Sequence, residues 1–295
     1  MSVPISALAL VVACSLGWAG FDLLRKLLVQ EVPPFALLFL QTIGTAPLFA
    51  AWMLAGGAAP PRPGYWIPAL GSIGLNIAAN LLYLEGIRIA PISVTVPLLS
   101  LTPAFATLLA VPLLGEQPSA ADVLGILMVI AGAIWLHWQP REASRAGDSA
   151  ARGRRATLKG ALMVALTSLF WSMTVPLDKL AVERAAAPLH GAILTGGVAT
   201  AILLVLLAQR RLGDVARVRR VPGIFVLSLA VGALALGFQL LALPRVYVGA
   251  VETTKRGVGN FMALLSGRVF FGETVTVPKV LAVALMAAGV GLLLA

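Results

Sequence analysis

CSLGWAGFDLLRKL, residues 14–27, lines up with TSLFWSMTVPLDKL, residues 167–180, which indicates an internal repeat. Two further matches follow in the same order, with little change of register. They join Gly115-Glu116 to Gly272-Glu273 and Ala131-Gly132 to Ala288-Gly289. Three ordered matches favour a duplication over chance similarity in a leucine-rich chain. The identical positions in the first match are Ser15/Ser168, Leu16/Leu169, Trp18/Trp171, Leu24/Leu177, Lys26/Lys179 and Leu27/Leu180.

The composition favours a protein that lies in lipid. Of the 295 residues, 59% are hydrophobic and 12% are charged, and the mean hydropathy is +0.95. Soluble proteins carry about 25% charged residues and depend on them to stay dissolved. Half that fraction implies that a lipid bilayer, rather than water, surrounds most of the chain.

Apolar runs of about 20 residues, the length that a helix needs to cross hydrocarbon, predict ten transmembrane helices. A polar, arginine-rich linker at 141–157 separates five spans from five, so we expect repeats at 1–140 and 158–295. Each half has an odd number of spans, so the halves enter the membrane in opposite senses. The expected fold is an all-α integral membrane protein with ten transmembrane helices as two inverted five-helix repeats around a central cavity, as in transporters. The expected spans are 4–28, 34–55, 65–89, 92–114, 119–138, 158–182, 188–208, 222–246, 249–271 and 277–294.

The net charge of +10 comes largely from two connections that follow odd-numbered spans. By the positive-inside rule these connections are cytoplasmic and both termini face out. The cations are not interleaved with aromatic residues and no nucleic-acid-binding motif is present, so no nucleic-acid partner is expected. The arginines concerned are Arg141, Arg145, Arg152, Arg154, Arg155, Arg210, Arg211, Arg217, Arg219 and Arg220.

Metal, redox and catalytic chemistry have little support in the sequence. Cys14 is the single cysteine, and His137 and His190 have no Cys or His neighbour at metal-ligand spacing. The sequence contains no GxSxG motif, and its acidic residues are scattered. We therefore expect no cofactor, no metal and no enzymatic activity.

The ninth expected span, which contains VETTKRGVGNFMALL at 251–265, carries three charges. On a helix, Glu252, Lys255, Arg256 and Asn260 share one arc with small residues, which predicts a helix that lines a cavity. Glu252 can pair with Arg256, four residues later. Lys255 is then left without a counter-charge, which predicts recognition of a carboxylate or phosphate. The alternative is that Lys255 reaches the membrane interface and contacts no ligand.

Other polar and aromatic residues complete the predicted site. Asn76 and Asn80 lie one turn apart, and Gln239 matches Asn80 in the second half. These amides are expected to bond a polar substrate or a neighbouring helix. The repeat-related Trp18 and Trp171 are expected to stack on an aromatic or cationic ligand, or to pack in the core.

Interruptions are expected at equivalent places in spans four and nine. Paired interruptions are typical of a binding site at the membrane midplane, and kinked helices that merely pack are the alternative. The residues concerned are Pro91, Pro97, Pro103 and Pro112 in span four, and Gly249, Gly257, Gly259 and Gly267 in span nine.

Charged residues near the span ends are predicted to lie away from the substrate. Glu116 and Glu273 follow glycines that end helices, so both are expected to be exposed. Long basic side chains near span ends reach water. The expected interfacial ion pairs or gates are Asp22 with Arg25 and Lys26, and Asp178 with Lys179.

The sequence resembles a known transporter family over nearly its whole length, in two copies. PLLSLTPAFATLLAVPLLGE with VLGILMVIAGAIWL, and KRGVGNFMALLSGRVFFGE with VLAVALMAAGVGLLL, are similar to the EamA-type half of the drug/metabolite transporter superfamily. The resemblance implies export of amino acids, drugs or other small metabolites. Lys255 and Arg256 also resemble the pair that contacts substrate phosphate in plastid phosphate translocators and nucleotide-sugar transporters. The family is drawn with both termini cytoplasmic, against the arginine count, so the sidedness stays open.

We therefore expect a secondary transporter or exporter of a small anionic or zwitterionic metabolite, such as an amino acid or a phosphate-bearing anion. It is expected to work by alternating access around spans three, four, eight and nine, in a bacterial-type inner (plasma) membrane. Glu252 makes protons a candidate coupling ion. The alternatives are an exporter of aromatic or cationic compounds that uses Trp18 and Trp171, and more distantly a membrane scaffold or an intramembrane enzyme. The sequence does not distinguish a monomer from a homodimer.

Overall fold

The computed structural model describes residues 5–57, 59–91, 95–137, 147–271 and 275–294, and these residues form helices and no strand. Two 3-10 helices, Val96–Leu101 and Leu212–Arg220, accompany ten α-helices in the described ranges. The α-helices are α1 (Ile5–Leu28), α2 (Pro34–Gly56), α3 (Trp66–Ile89), α4 (Thr102–Leu114), α5 (Ala120–His137), α6 (Gly147–Val182), α7 (Ala187–Ala208), α8 (Pro222–Ala242), α9 (Val248–Phe271) and α10 (Val277–Leu294).

Proline and glycine mark several helix ends, as their backbone preferences require. Pro34 and Pro222 each lie in the first turn of a helix, where a missing N–H breaks no hydrogen bond. Gly57 and Gly115 end α2 and α4 in the left-handed conformation, with φ of 61° and 66°. The boundaries therefore follow from local sequence.

Six of the helices are long and apolar enough to cross a membrane. They are α1, α2, α3, α7 and α8, together with the part of α6 from Arg155 onward. The apolar stretches that contain α4, α5 and α10 are shorter, and α9 carries Glu252, Lys255, Arg256 and Arg268. The structure thus supports an all-helical, multi-pass membrane protein. That all ten helices cross the bilayer stays a prediction.

The helix bundle exposes apolar side chains and buries polar ones. Ile67 and Leu54 are 83% and 77% exposed, whereas Arg25 is only 3% exposed. A surface of large aliphatic side chains suits contact with acyl chains rather than water. The buried polar groups then lie between helices, where they contact one another.

The most extensive helix contacts join the two halves of the chain. They form the pairs α1–α8, α3–α6, α2–α7 and α5–α10. If every helix number is increased by five, counting on from α10 to α1, the pair α1–α8 becomes the pair α6–α3. The pairs α2–α7 and α5–α10 become themselves. The packing therefore has the pattern that a two-fold relation between the halves would produce.

The glycines matched in the sequence repeat, Gly132 and Gly289, lie at the α5–α10 crossing. A Cβ atom on Gly132 would lie 2.7 Å from the Ala282 carbonyl oxygen of α10. A Cβ atom on Gly289 would lie 2.7 Å from the Gly125 carbonyl oxygen of α5. Each glycine thus allows its helix to approach the backbone of the other, as small residues do at membrane helix contacts.

The expected interruptions appear in span four only. Residues 92–94 lie outside the described ranges, and the remainder is divided into the 3-10 helix and α4 near Pro97 and Pro103. The expected interruption of span nine is wrong, because α9 is continuous through all four of its glycines. Gly249 and Gly257 instead face Thr107 and Val290 at close range. They serve helix packing, which is why they do not break the helix.

Part of the expected linker is helical. Helix α6 begins at Gly147, well before the predicted start of the sixth span at residue 158. Residues 141–146 lie outside the described ranges, as do Gly272 and Glu273 of the sequence repeat. The expected exposure of Glu273 is therefore untested.

We predict that Gly132→Ala and Gly289→Ala each destabilise the protein, because the added methyl group meets a carbonyl oxygen of the opposite helix. Overpacking of this kind costs about 1 to 3 kcal/mol. The matched control is Gly291→Ala in α10, where an added Cβ has no neighbour within 4 Å. Thermal unfolding in detergent should show a lower midpoint for the first two variants only. Equal midpoints for all three variants would contradict close packing at this crossing.

Candidate functional site

A central cavity lies between the pairs α1–α8 and α3–α6, with α9 and α7 closing it. Its volume is about 60 Å³, which accommodates roughly four to six water molecules. In the described residues, span four contributes nothing to its lining, contrary to the expected site around spans three, four, eight and nine. The polar and aromatic lining residues are Trp18, Asp22, Asn76, Asn80, Trp171, Thr174, Asp178, Gln239, Lys255 and Arg256.

Three charged residues of α9 form one compact cluster. Lys255 Nζ donates to Glu252 Oε1 at 2.5 Å, and Arg256 Nη2 donates to Glu252 Oε2 at 3.3 Å. Glu252 is fully buried, and the two cations are less than 10% exposed. The expectation that Lys255 lacks a counter-charge is therefore wrong, because one carboxylate contacts both cations. The cluster still carries one net positive charge.

Lys255 does not reach the membrane interface. Its Nζ also donates to Gln239 Oε1 at 2.8 Å, which ties α9 to α8. Arg256 is less fully bonded, since its Nε is buried without a hydrogen-bond partner. The donor group that is free for a ligand is thus on Arg256 rather than on Lys255.

The two repeat-related tryptophans lie on opposite walls of the cavity. Lys255 Nζ is 5.4 Å from the centre of a Trp18 ring, and the Arg256 guanidinium carbon is 5.8 Å from that of Trp171. These distances are typical of cation–π contacts. Each ring therefore already contacts a cation of the protein itself.

The predicted amide residues divide into two groups. Asn76 and Asn80 line the cavity and donate to carbonyl oxygens one turn earlier in α3. Asn260 lies away from it, because its Nδ2 donates to Ser100 Oγ at 2.7 Å and contacts Met286 Sδ at 3.1 Å. Asn260 therefore joins α9 to neighbouring helices, and the expectation that it lines the cavity is wrong.

Arg25 was expected at the interface, but the structure places it in the interior. Its Nη2 donates to Asn80 Oδ1 at 2.6 Å and its Nε to Gln41 Oε1 at 3.1 Å. A second hollow of about 80 Å³ lies beside Arg25 and shares Trp18, Asn76 and Asn80 with the central cavity. The polar interior therefore extends from α9 to α2.

Asp178 was expected to pair with Lys179, and this prediction is wrong. Asp178 Oδ1 accepts a hydrogen bond from Ser72 Oγ and lies 3.2 Å from His190 Nε2. Successive residues of a helix point in different directions, so adjacent charges do not face each other. No role is predicted for His190 from its spacing in the sequence, although its side chain is fully buried beside the carboxylate. Only the packing of α7 against α6 brings the two together.

Lys179 instead binds Glu116. Lys179 Nζ donates to Glu116 Oε1 at 2.6 Å and to the Val246 carbonyl oxygen at 3.2 Å. Glu116 also accepts from the backbone N–H of Val248 at the start of α9, and it is only 9% exposed. Its expected exposure is therefore wrong, because a carboxylate is stabilised by the N-terminus of a helix and by a cation.

Lys26 plays the corresponding part in the first half. Its Nζ donates to the carbonyl oxygens of Ile87 and Ala90 at the end of α3, at 2.5 and 3.0 Å. The repeat-related Lys26 and Lys179 thus contact carbonyl groups at the ends of spans three and eight, respectively. These contacts hold the two cavity walls at their ends.

The described residues contain no group of three or more His, Cys, Asp or Glu side chains arranged to hold a metal ion. Cys14 is buried in α1, where it has no disulfide partner. The chemistry available at the cavity is therefore that of ion pairs, hydrogen bonds and aromatic faces.

We predict that Glu252→Gln destabilises the protein strongly, because it leaves two buried cations without a carboxylate. Breaking a buried ion pair in this way costs about 3 to 5 kcal/mol. The double variant Glu252→Gln/Lys255→Met should recover part of this loss, since it removes one of the unpaired charges. Thermal unfolding of both variants in detergent measures the effect. An unchanged midpoint for Glu252→Gln would show that the cluster contributes nothing to stability.

Comparison with known proteins agrees with this fold. Residues 5–138 match the model of the EamA-like transporter family. A crystal structure of a protein has the same fold, with a TM-score of 0.71 and 18% sequence identity over 98% of this chain and 96% of that one. No curated protein matches the chain. Residues 5–138 are thus similar to the EamA-like transporter family, and the structural neighbour shares the fold of this helical, multi-pass membrane protein.

Proposed function

We propose that the protein is a secondary transporter that moves a small anionic or zwitterionic metabolite by alternating access. The observation that carries this proposal is the cluster of Glu252, Lys255 and Arg256 at a cavity between the two halves. One carboxylate between two cations leaves a net positive charge, and Arg256 retains an unbonded N–H. A carboxylate or phosphate supplies both the missing charge and the missing acceptor.

Two acidic residues of the cavity support a substrate that also carries a positive group. Asp22 and Asp178 both line the cavity, on α1 and α6. The carboxylate of an amino acid fits Arg256, and its ammonium group fits an acidic residue of the lining. The charges of the cavity therefore favour an amino acid among the small metabolites of this class.

The arrangement of the helix pairs supports alternating access. The pairs α1–α8 and α3–α6 form opposite walls, and the two-fold pattern of the packing exchanges one pair with the other. We infer from this pattern two inverted repeats of five transmembrane helices, with a cavity that opens in turn to either side as the pairs rock against each other. The cavity volume of about 60 Å³ implies that the walls separate when a substrate enters.

An exporter of aromatic or cationic compounds is the second candidate, because Trp18 and Trp171 face the cavity. Their contacts with Lys255 and Arg256 argue against it, since a cationic ligand would have to displace a cation of the protein. Stabilisation by an organic cation that disappears in Trp18→Leu, with no effect of amino acids, would favour this candidate.

The proposed location is a bacterial-type inner (plasma) membrane, with the sidedness left open. The arginine-rich 3-10 helix Leu212–Arg220 packs near the connection between α1 and α2, where Arg220 lies 3.7 Å from Glu31. Both segments follow odd-numbered helices, so they are on one face. The positive-inside rule favours that face as the cytoplasmic one, whereas the family resemblance favours the opposite face.

A thermal-shift screen of amino acids, sugar phosphates and organic cations tests the substrate class. A ligand at about 100 times its Kd stabilises the folded protein by about 2.7 kcal/mol. We expect an amino acid or a phosphate to raise the melting temperature of the wild type but not of Lys255→Ala or Arg256→Lys. Lys179→Ala is the matched control, because this lysine also binds a buried carboxylate but lies outside the cavity lining. Its ligand-dependent shift should persist.

Transport itself is tested in liposomes. The purified protein should exchange a radiolabelled amino acid across the membrane. Arg256→Lys should slow the exchange at least tenfold, because the point charge of an ammonium group replaces the planar, two-pronged guanidinium. Binding without exchange would contradict the transporter assignment and favour a scaffold.

A further inference from the structure

Asp178 and His190 form a buried, hydrogen-bonded pair whose capacity to bind a proton has no role in the proposal above. We propose that this pair is the site that binds a coupling proton during transport. The inference rests on the proposed transport function, because a coupling proton needs a substrate to accompany. It assigns the proton to α6 and α7 rather than to Glu252.

A continuous chain of hydrogen bonds runs through the pair. The Tyr65 hydroxyl lies 3.0 Å from His190 Nδ1, and His190 Nε2 lies 3.2 Å from Asp178 Oδ1. Asn76 Nδ2 donates at 3.1 Å to Ser72 Oγ, which itself donates to Asp178. Tyr65 directly precedes α3, whereas Asp178 and Asn76 line the central cavity. The chain thus leads from a helix end to the substrate site.

The pair can hold or release one proton without losing a hydrogen bond. When His190 is neutral, the Tyr65 hydroxyl donates to Nδ1, and Nε2–H donates to Asp178. When His190 gains a proton, Nδ1–H donates to the Tyr65 oxygen instead, because a hydroxyl serves as donor or acceptor. Chains of Asp, Glu and His side chains within membrane helices are typical of proton pathways.

Charged and titratable groups face the pair from several helices. On the cavity side, the cations of α9 oppose an additional positive charge, and the carboxylate of α1 favours one. Gln239 of α8 and Ser72 of α3 are neutral. On the far side, Arg184 lies beside Gly64 and donates to the Leu180 carbonyl oxygen. The groups are Asp22 on α1, Tyr65 before α3, Lys255 and Arg256 on α9, and Arg184 after α6.

Glu252 is poorly suited to release and rebind a proton. It contacts two cations, and neither lies further than 3.3 Å away. A proton on Glu252 would neutralise the carboxylate that binds both cations. Leaving two buried cations without a counter-charge is strongly unfavourable. Asp178 has no Lys or Arg within 4.0 Å among the described residues, so protonation of the pair breaks no such contact.

Substrate and proton should favour each other's binding. An anionic group bound at Lys255 and Arg256 offsets the positive charge that opposes a proton on the Asp178–His190 pair. By linkage, a proton on the pair then strengthens binding of the anion by the same factor. The expected result is movement of an anion and a proton in the same direction.

The sequence repeat gives this site an asymmetry. Asp178 occupies the position that matches Arg25 in the first half. Both are buried near the cavity, but Arg25 keeps its charge at all physiological pH values, whereas a carboxylate beside an imidazole can exchange a proton. Only one of the two equivalent positions can therefore respond to pH.

Infrared difference spectroscopy tests the pair without any ligand. Between about pH 5 and 8, the range in which histidine commonly titrates, the wild type should gain carboxylic acid or imidazolium vibrations as the pH falls. Asp178→Asn and His190→Gln should each remove that change. The matched control is Glu116→Gln, which alters another buried carboxylate outside the cavity lining and should leave it intact. Absence of the change in the wild type, or its persistence in Asp178→Asn, would overturn the proposal.

The pH dependence of anion binding tests the coupling. Ethanesulfonate keeps one negative charge over this pH range, so its own titration does not contribute. Its Kd should increase by up to about tenfold per pH unit as the pH rises, which is the limit for one coupled proton. The slope should vanish in Asp178→Asn and persist in Glu116→Gln, even if both variants melt at lower temperature. Loss of the slope in Glu252→Gln with its retention in Asp178→Asn would assign the proton to α9 and refute this proposal.

Failure of the proposed function has a different signature. In that case no anion or amino acid stabilises the wild type at any pH, whereas the infrared spectra still decide whether the pair binds a proton. The two conclusions can thus fail separately.

Discussion

The pairing of Glu252 with both Lys255 and Arg256 is the contact on which the site depends. A charge inside a membrane helix costs about 2.5 to 3.5 kcal/mol on insertion scales, and α9 carries three within five residues. Spacings of three and four residues allow one carboxylate to contact both cations. This arrangement makes the helix tolerable in lipid, and it leaves one positive charge at the cavity. The cluster that we propose to recognise an anion is therefore also the one that stabilises the helix.

The duplication decides where the cluster lies. Because α1 packs on α8 and α3 on α6, each cavity wall contains one helix from each half. Small residues at the repeat-related positions Gly132 and Gly289 let α5 and α10 approach closely away from the cavity. Lys26 and Lys179 bind the carbonyl groups at the ends of spans three and eight. The same set of contacts, made twice, holds the walls on both sides of the site.

The function arises where the two copies differ. Span four is divided near Pro97 and Pro103 and, in its described part, does not reach the cavity, whereas α9 is continuous and supplies both cations. Arg25 and Asp178 occupy matching positions with opposite charges. A cavity lined by two identical halves would carry the same groups on both walls. The differences give it both cationic and acidic groups, which suit the polar metabolite proposed as substrate.

The sequence by itself determined the helical class, and it predicted the repeat and most of the polar and aromatic residues that line the cavity. Lipid leaves a long apolar segment no stable choice except a helix, and polar residues on such helices must face inward, so Lys255, Arg256, Asn76 and Trp18 could be identified from spacing. Tertiary structure decided which polar group contacts which. Lys255 binds Glu252 and Gln239, and Asp178 contacts His190 rather than Lys179. Asn260 binds Ser100 outside the cavity, and Arg25 lies inside the bundle. These partners lie on other helices or depend on rotamers set by packing, and spacing along one helix contains no information about either.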